Sequence, residues 1–242
     1  RRQRQMCIRD RIIPVKGFSD NEYLVMVTKN GVIKKTPASE YESIRKSGKI
    51  AITLKEGDEL ISIFKTTGND NIFLATRNGM AICFNENDAR AVGRTASGVK
   101  AIDLADGDYV VGAEPVREDS KVLLVTDGGY GKCTDLTSFR IQHRGGKGLK
   151  AYKITEKTGN IIGISMVNDS EELIMVTSEG VVIRIRIKDI ATTTGRITQG
   201  VRLINLNDGV TVVSMDKISA EDTVEEESEE NNTEVTAETT EE

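Results

Sequence analysis

The chain has 242 residues, 38% of them hydrophobic, enough for a sizeable core, and no apolar run approaches the ~18 residues of a membrane-spanning helix. Its N-terminal "RRQRQMCIRDR" lacks the apolar stretch of a signal peptide, and Cys7, Cys83 and Cys133, odd in number and far apart, suit reduced thiols rather than a disulfide frame or a CxxC zinc site, so a cytosolic protein is expected. The net charge of −5 conceals segregation: from Ser219 onward there are eleven acidic residues and no Lys or Arg, which leaves the preceding residues at +6.

Taken in chain order, residues 1–11 read as a non-native or disordered segment. "RQRQMCIRDR" resembles translated sequencing-adapter read-through, and the five arginines of residues 1–11 against Asp10 supply +4 of the +6. "IIPVKGF" (Ile12 to Phe18) reads as the closing strand of a preceding unit whose beginning is missing. Four hairpins then follow, each an apolar β-type run, two turn residues, a glycine and a second β-type run: "YLVMVTKNGVIKKT" from Tyr23, "NIFLATRNGMAICF" from Asn71, "KVLLVTDGGYGKCT" from Lys121 and "ELIMVTSEGVVIRI" from Glu172. Between and after them lie short strands such as "IAITL", "VKAIDL", "ELISIF", "YVVGAEPV", "NIIGISMV" and "VTVVSM". The closing stretch from Ser219 has too little apolar surface to offset the entropy of ordering it, so 219–242 is expected to be a disordered acidic tail.

The glycines set a period. Gly31, Gly79, Gly129 and Gly180 are 48, 50 and 51 residues apart, and Gly48, Gly98, Gly148 and Gly200 are 50, 50 and 52 apart. A third set, Gly57, Gly107, Gly159 and Gly209, repeats at 50, 52 and 50. No long segment shows the i, i+3, i+4 spacing of an amphipathic helix. The expected fold is therefore all-β: a pinwheel- or propeller-like repeat of four-stranded blades, with about four complete blades (12–66, 67–117, 118–168 and 169–218) in an open arc or a ring. WD40 repeats have a shorter period and a recurrent Trp, which this chain lacks, and only "DGGYG" at Asp127 to Gly131 suggests kelch.

Several motifs agree in order and spacing with one family. "GVIKKTPASEYESIRKSGKIAITLKEGDELI", "GRTASGVKAIDLADGDYVVG", "GYGKCTDLTSFRIQHRGGKGLKAYKITEKTGNIIG" and "GRITQGVRLINL" resemble the C-terminal domain of the DNA gyrase A protein, from about Ile12 to Ser219. The resemblance implies a β-pinwheel around which a DNA segment bends, supporting ATP-dependent negative supercoiling by a type II topoisomerase. It implies double-stranded DNA, the rest of the gyrase A protein and the gyrase B protein in an A2B2 holoenzyme as partners, and a nucleoid-associated cytoplasmic location. No cofactor is expected in this fragment; ATP and Mg would be used through other domains, and the strand-cleaving tyrosine lies elsewhere. "QHRGGKG" resembles the family's gyrase box, QxRGGKG, with Gln142, Arg144, Gly145, Gly146, Lys147 and Gly148 matching. In that family the box critical for wrapping belongs to the first blade, and by repeat phase this copy belongs to a later one. The nearest alternative is the corresponding domain of the topoisomerase IV A protein; a protein-binding propeller is more remote, because ten aromatics and no Trp offer few apolar anchors.

A protein that bends duplex DNA needs cations at regular intervals along a curved rim, and a repeat supplies them. The inter-blade loops carry Arg45 and Lys46, then Arg94, then Arg144 and Lys147, then Arg196; just after the hairpin glycines lie Lys34 and Lys35, then Lys132, then Arg184 and Arg186. All are candidate DNA contacts, with glycines letting backbone amides approach phosphate oxygens. The bland reading of the glycines is a turn between blades. The fourth position after the hairpin glycine, where the family often has a cation, holds Cys83 and Cys133 in repeats two and three. His143 is expected to be an exposed loop residue, and Asp58 and Asp108 fit turn chemistry better than metal binding.

Overall fold

The computed structural model describes residues 17–43 and 48–218. The expectations for 1–11, for the strand residues 12–16, for Arg45 and Lys46, and for the tail from 219 lie outside the described residues. All four hairpins form where predicted. In the first repeat β1 (Tyr23–Thr28) and β2 (Val32–Pro37) pair, and β3 (Leu60–Thr66) folds back along β1. The second repeat supplies β4 (Asn71–Thr76), β5 (Met80–Asn85), β6 (Val99–Lys100) and β7 (Val110–Pro115). The third supplies β8 (Lys121–Thr126), β9 (Tyr130–Asp135), β10 (Leu149–Lys150) and β11 (Ile161–Val167). The fourth supplies β12 (Glu172–Thr177), β13 (Val182–Arg186), β14 (Thr192–Thr193), β15 (Val201–Arg202) and β16 (Val212–Ile218). Each hairpin plus its fold-back strand makes one small antiparallel sheet, and the four sheets are the blades of a propeller.

The assignment of four strands to each sequence repeat is corrected in one respect: the fourth strand of a blade comes from the repeat that follows. β6 pairs with β2, β10 with β5, and β15 with β9, all antiparallel. The cause is the path of the linker. A single turn of 3-10 helix follows each second hairpin strand, and the residue after it in repeats two to four, Ala89, Phe139 or Ile190, is buried in the apolar layer between blades. That anchor brings the linker alongside the preceding blade, whose outer hairpin strand offers unpaired backbone N–H and C=O groups. Consequently β13 has no fourth strand among the described residues. Ile50–Leu54, expected as a strand, joins no sheet, and the exchange does not link blade four back to blade one.

Alternating side chains on each central strand face opposite neighbours, which puts the core in three layers. Ile72 and Leu74 face the first blade with Val25, Val27 and Ile33; Phe73 and Ala75 face the third with Leu124, Phe139 and Ile164. Leu123 and Cys133 meet Leu173 and Met175 of the fourth blade. The innermost strands β3, β7, β11 and β16 pack in succession and line a central cleft of about 350 Å³. No helix among the described residues is long and apolar enough to cross a membrane.

Candidate nucleic-acid interface

The linkers rise from their buried anchors to the outer edge of the blades and return as the donated strand. At the turning point stand Arg94, Arg144 and Arg196, all half-buried. Each is tethered in the same way. The Arg94 guanidinium donates to the Ile50 carbonyl (3.2 Å), that of Arg144 to the Lys100 carbonyl (2.9 Å), and that of Arg196 to the Lys150 carbonyl (3.0 Å). The acceptor is in every case the second residue after the glycine of the preceding repeat, so the arginines recur once per blade at one structural position.

That recurrence exposes cations that sequence reasoning missed. Lys100, Lys150 and Arg202 occupy the same phase, two residues after Gly98, Gly148 and Gly200, and all three are exposed. Lys100 sits beside Arg144 and Lys150 beside Arg196, because each arginine bonds the backbone of that lysine. The glycine period carries the signal for these cations too, on the far side of each glycine from the linker arginine.

The loop Gln142–Gly148 packs against β5 of the second blade and against the stretch that follows β6. The Gln142 N–H donates to the Cys83 carbonyl (2.8 Å), the Gly145 N–H to the Ala101 carbonyl (2.6 Å), and the Asp103 N–H to the Gly146 carbonyl (2.9 Å). Arg144 adds an Nε bond to the Asp88 carbonyl (2.7 Å). The three glycines divide their work. Gly148 has a φ of +74°, and a Cβ there would collide with the Ala81 carbonyl, so this glycine belongs to strand exchange. Gly145, with a φ of +80°, and Gly146 stand open towards solvent, and with exposed Lys147 they are the part of the loop free to meet a ligand. Gln142 turns inward; its side-chain nitrogen is buried without a hydrogen-bond partner. His143 is exposed, as expected, with Nδ1 3.1 Å from Asp88 Oδ2. Asp58 and Asp108 close turns: Asp108 accepts from Thr76 Oγ1 (2.7 Å), the Asn78 N–H (3.0 Å) and the Tyr109 N–H (2.9 Å), and Asp58 accepts from the Asn30 N–H (3.0 Å).

Three expected contacts are corrected. Lys34 and Lys132 are completely buried, and Lys35 is 4% exposed. Lys34 Nζ donates to the carbonyls of Ala51 (2.5 Å) and Arg94; Lys132 Nζ donates to the carbonyls of Gly195 (3.4 Å) and Arg196 and to Thr198 Oγ1 (3.1 Å). Lys35 pairs with Glu86 across the first interface (2.9 Å). Sequence could not separate these from surface cations, because the chain that covers Lys34 and Lys132 lies some sixty residues away, in repeats two and four. Arg184 and Arg186 are exposed on β13, the strand without a donated neighbour, and pair with Glu172 and with Asp189 (2.9 Å).

Cys83 and Cys133 are buried between blades, and burial pushes both thiols up to about 11. Neither is expected to react with a maleimide at pH 8 in the folded protein, whereas both react in guanidinium; peptide mass mapping before and after denaturation checks this.

The description "DNA gyrase C-terminal domain, beta-propeller" belongs to a family whose profile matches residues 22–67, 70–117, 120–168 and 171–219, one match per blade. The DNA gyrase A protein of Halalkalibacterium halodurans is 56% identical over 87% of this chain, and that of Clostridium acetobutylicum 48% over 87%. The chain spans about a quarter of the length of these curated relatives, 25% in each case. Among solved structures, the C-terminal domain of DNA topoisomerase IV superposes with a TM-score of 0.82 at 29% identity, covering 92% of this chain and 69% of the other. A DNA gyrase A C-terminal domain gives 0.75 at 25% identity, covering 84% and 68%. With a profile match in each of its four blades and gyrase A relatives along nearly its whole folded length, the chain belongs to the DNA gyrase C-terminal domain family.

Proposed function

We propose that the linker edge binds the backbone of duplex DNA and bends it around the blades, as the wrapping module of a gyrase A protein. The observation that carries this reading is the recurrent setting of Arg94, Arg144 and Arg196, each with its guanidinium bonded to the carbonyl two residues after the glycine of the repeat before it. Phosphates recur along a duplex, and a binding surface that repeats once per module can follow them without reading bases. On this reading the protein works inside an A2B2 assembly in the bacterial cytoplasm at the nucleoid. The gyrase B protein hydrolyses ATP with Mg2+, and another part of the gyrase A protein cleaves the strands. The likeness to the topoisomerase IV domain supports a second reading, as the equivalent module of that enzyme; Gln142–Gly148, which keeps the gyrase box pattern, favours gyrase.

A salt titration on short linear duplex DNA tests the interface. Arg144→Ala with Lys147→Ala is expected to shallow the log–log slope of affinity against salt by about 1.8, roughly 0.9 for each lost phosphate contact. An unchanged slope places the DNA elsewhere. Relaxing closed plasmid with a nicking-closing enzyme in the presence of the chain tests the wrap, which leaves a residual linking difference.

A further inference from the structure

We propose that Lys34 and Lys132 are positioning residues for DNA: each buried ammonium holds the backbone carbonyl of a rim arginine, Arg94 or Arg196, and so fixes that guanidinium at the phosphate edge. The proposal rests on the DNA-binding reading above and extends it to groups that cannot touch DNA.

Both rim arginines are held at two points. The carbonyl of Arg94 accepts from Lys34 Nζ while its guanidinium reaches Ile50; the carbonyl of Arg196 accepts from Lys132 Nζ while its guanidinium reaches Lys150. A residue pinned at main chain and side chain has little rotamer freedom left to lose on binding phosphate. Repeat two is the internal contrast. Its equivalent position is Ile82, buried in the first core layer, and the linker above it is instead held by Asp88 and the backbone of Lys100 and Ala101. An apolar side chain is thus compatible with the blade, and the lysines supply something the fold does not require at this position.

What they supply is charge under the rim. Burial, and then the neighbouring Arg94 or Arg196, lower both lysines to about 8. The other groups facing Lys34 are Glu40, which pulls the opposite way, and Tyr41, whose hydroxyl donates to the Ala51 carbonyl (3.3 Å). Lys132 lies 5.2 Å from the centre of the Tyr152 ring, whose hydroxyl donates to the Gln199 carbonyl (2.5 Å) and is pushed up by burial. The sign of the pH effect separates a structural from a positioning role. Because the folded values lie below the ordinary 10.5, the unfolded chain binds more protons between about 8 and 10.5, and these groups make stability rise with pH in that window. DNA affinity runs the other way, since each lysine loses its charge beneath a phosphate site.

The test measures affinity for a short duplex by anisotropy at pH 7 to 9 and several salt concentrations, with melting followed in parallel. Wild type is expected to lose roughly three- to tenfold in affinity across that range while its melting temperature does not fall with affinity. Lys34→Ile with Lys132→Ile, folded by circular dichroism, is expected to bind with a slope shallower by about 1 to 2 and to lose the pH dependence. Tyr130, which its bond from Arg202 holds below its ordinary value, is retained in both proteins and cancels in the comparison. A wild-type affinity flat from pH 7 to 9, or a double variant with unchanged slope and pH profile, overturns the positioning role. If Arg144→Ala with Lys147→Ala still shallows the slope, the DNA reading stands without it; if wild-type affinity ignores salt altogether, it is the DNA reading that fails.

Discussion

Replacing Lys100, Lys147 and Lys150 together by alanine is expected to reduce the salt slope of DNA binding by about 2.7 and the affinity at low salt by roughly a hundredfold, with no change in fold. All three side chains are exposed, and among the described residues only Lys100 has an ion-pair partner, Asp103 at 2.8 Å, on the surface. An exposed, solvent-screened pair of that kind contributes little to stability, so circular dichroism and melting should be close to wild type. The three cations belong to two consecutive linkers: Lys147 to the loop that carries Arg144, and Lys100 and Lys150 to the strands that Arg144 and Arg196 bond. Losing them therefore strips the free charges from a continuous stretch of rim while leaving every tethered arginine in place. The matched control removes Lys55, Lys157 and Lys188, which lie in the turns before β3 and β11 and in the 3-10 turn after β13. If both triple variants shift binding equally, net charge governs affinity and the rim does not.

The architecture was legible in the sequence because it is local and repeated. The first strand of each hairpin is a short, near-continuous apolar run, and the hairpin glycines recur about every fifty residues, so the four hairpins and their fold-back strands could be placed without any long-range information. The exchange of the fourth strand was not legible, since a two-residue strand such as Val99–Lys100 carries no pattern of its own; what assigns it is the free edge of β2, belonging to another repeat. The candidate site divided along the same line. Positions read off the linkers, Arg94, Arg144, Lys147 and Arg196, sit at the edge where the period put them. Of those read off the second hairpin strand, Arg184 and Arg186 are exposed but Lys34, Lys35 and Lys132 are buried, because in blades one and three that strand is roofed by a linker arriving from the next repeat. Burial of Lys34, Lys35 and Lys132 is thus the same error as the misassigned strand, seen in side chains.

Lys35→Met is expected to destabilise the protein by about 3–5 kcal/mol, the largest single effect on folding, because it leaves a buried carboxylate without its counter-charge. Glu86 is completely inaccessible, and Lys35 Nζ lies 2.9 Å from its Oε2. Three further donors converge on the same carboxylate: Thr66 Oγ1 at 2.7 Å, and the N–H groups of Gly68 and Asp70 at 2.9 and 2.7 Å. Hydrogen bonds from neutral groups moderate the cost of a desolvated charge but do not cancel it. The same molecule shows how that cost is avoided. At the second and third interfaces the places of Lys35 and Glu86 are taken by Cys83 and Leu136, and by Cys133 and Ile187, which join the apolar layers between blades. Replacing a buried ion pair by packed apolar groups is commonly neutral or stabilising. Lys35→Cys with Glu86→Leu should therefore recover most of the stability lost by Lys35→Met, less what the orphaned Gly68 and Asp70 N–H groups cost, about 1–3 kcal/mol each if they stay dry. Urea denaturation of wild type, single and double variants measures the difference. A single variant within about 1 kcal/mol of wild type would mean that the three neutral donors carry the carboxylate alone, and that this pair fixes the register of the first two blades without adding to their stability.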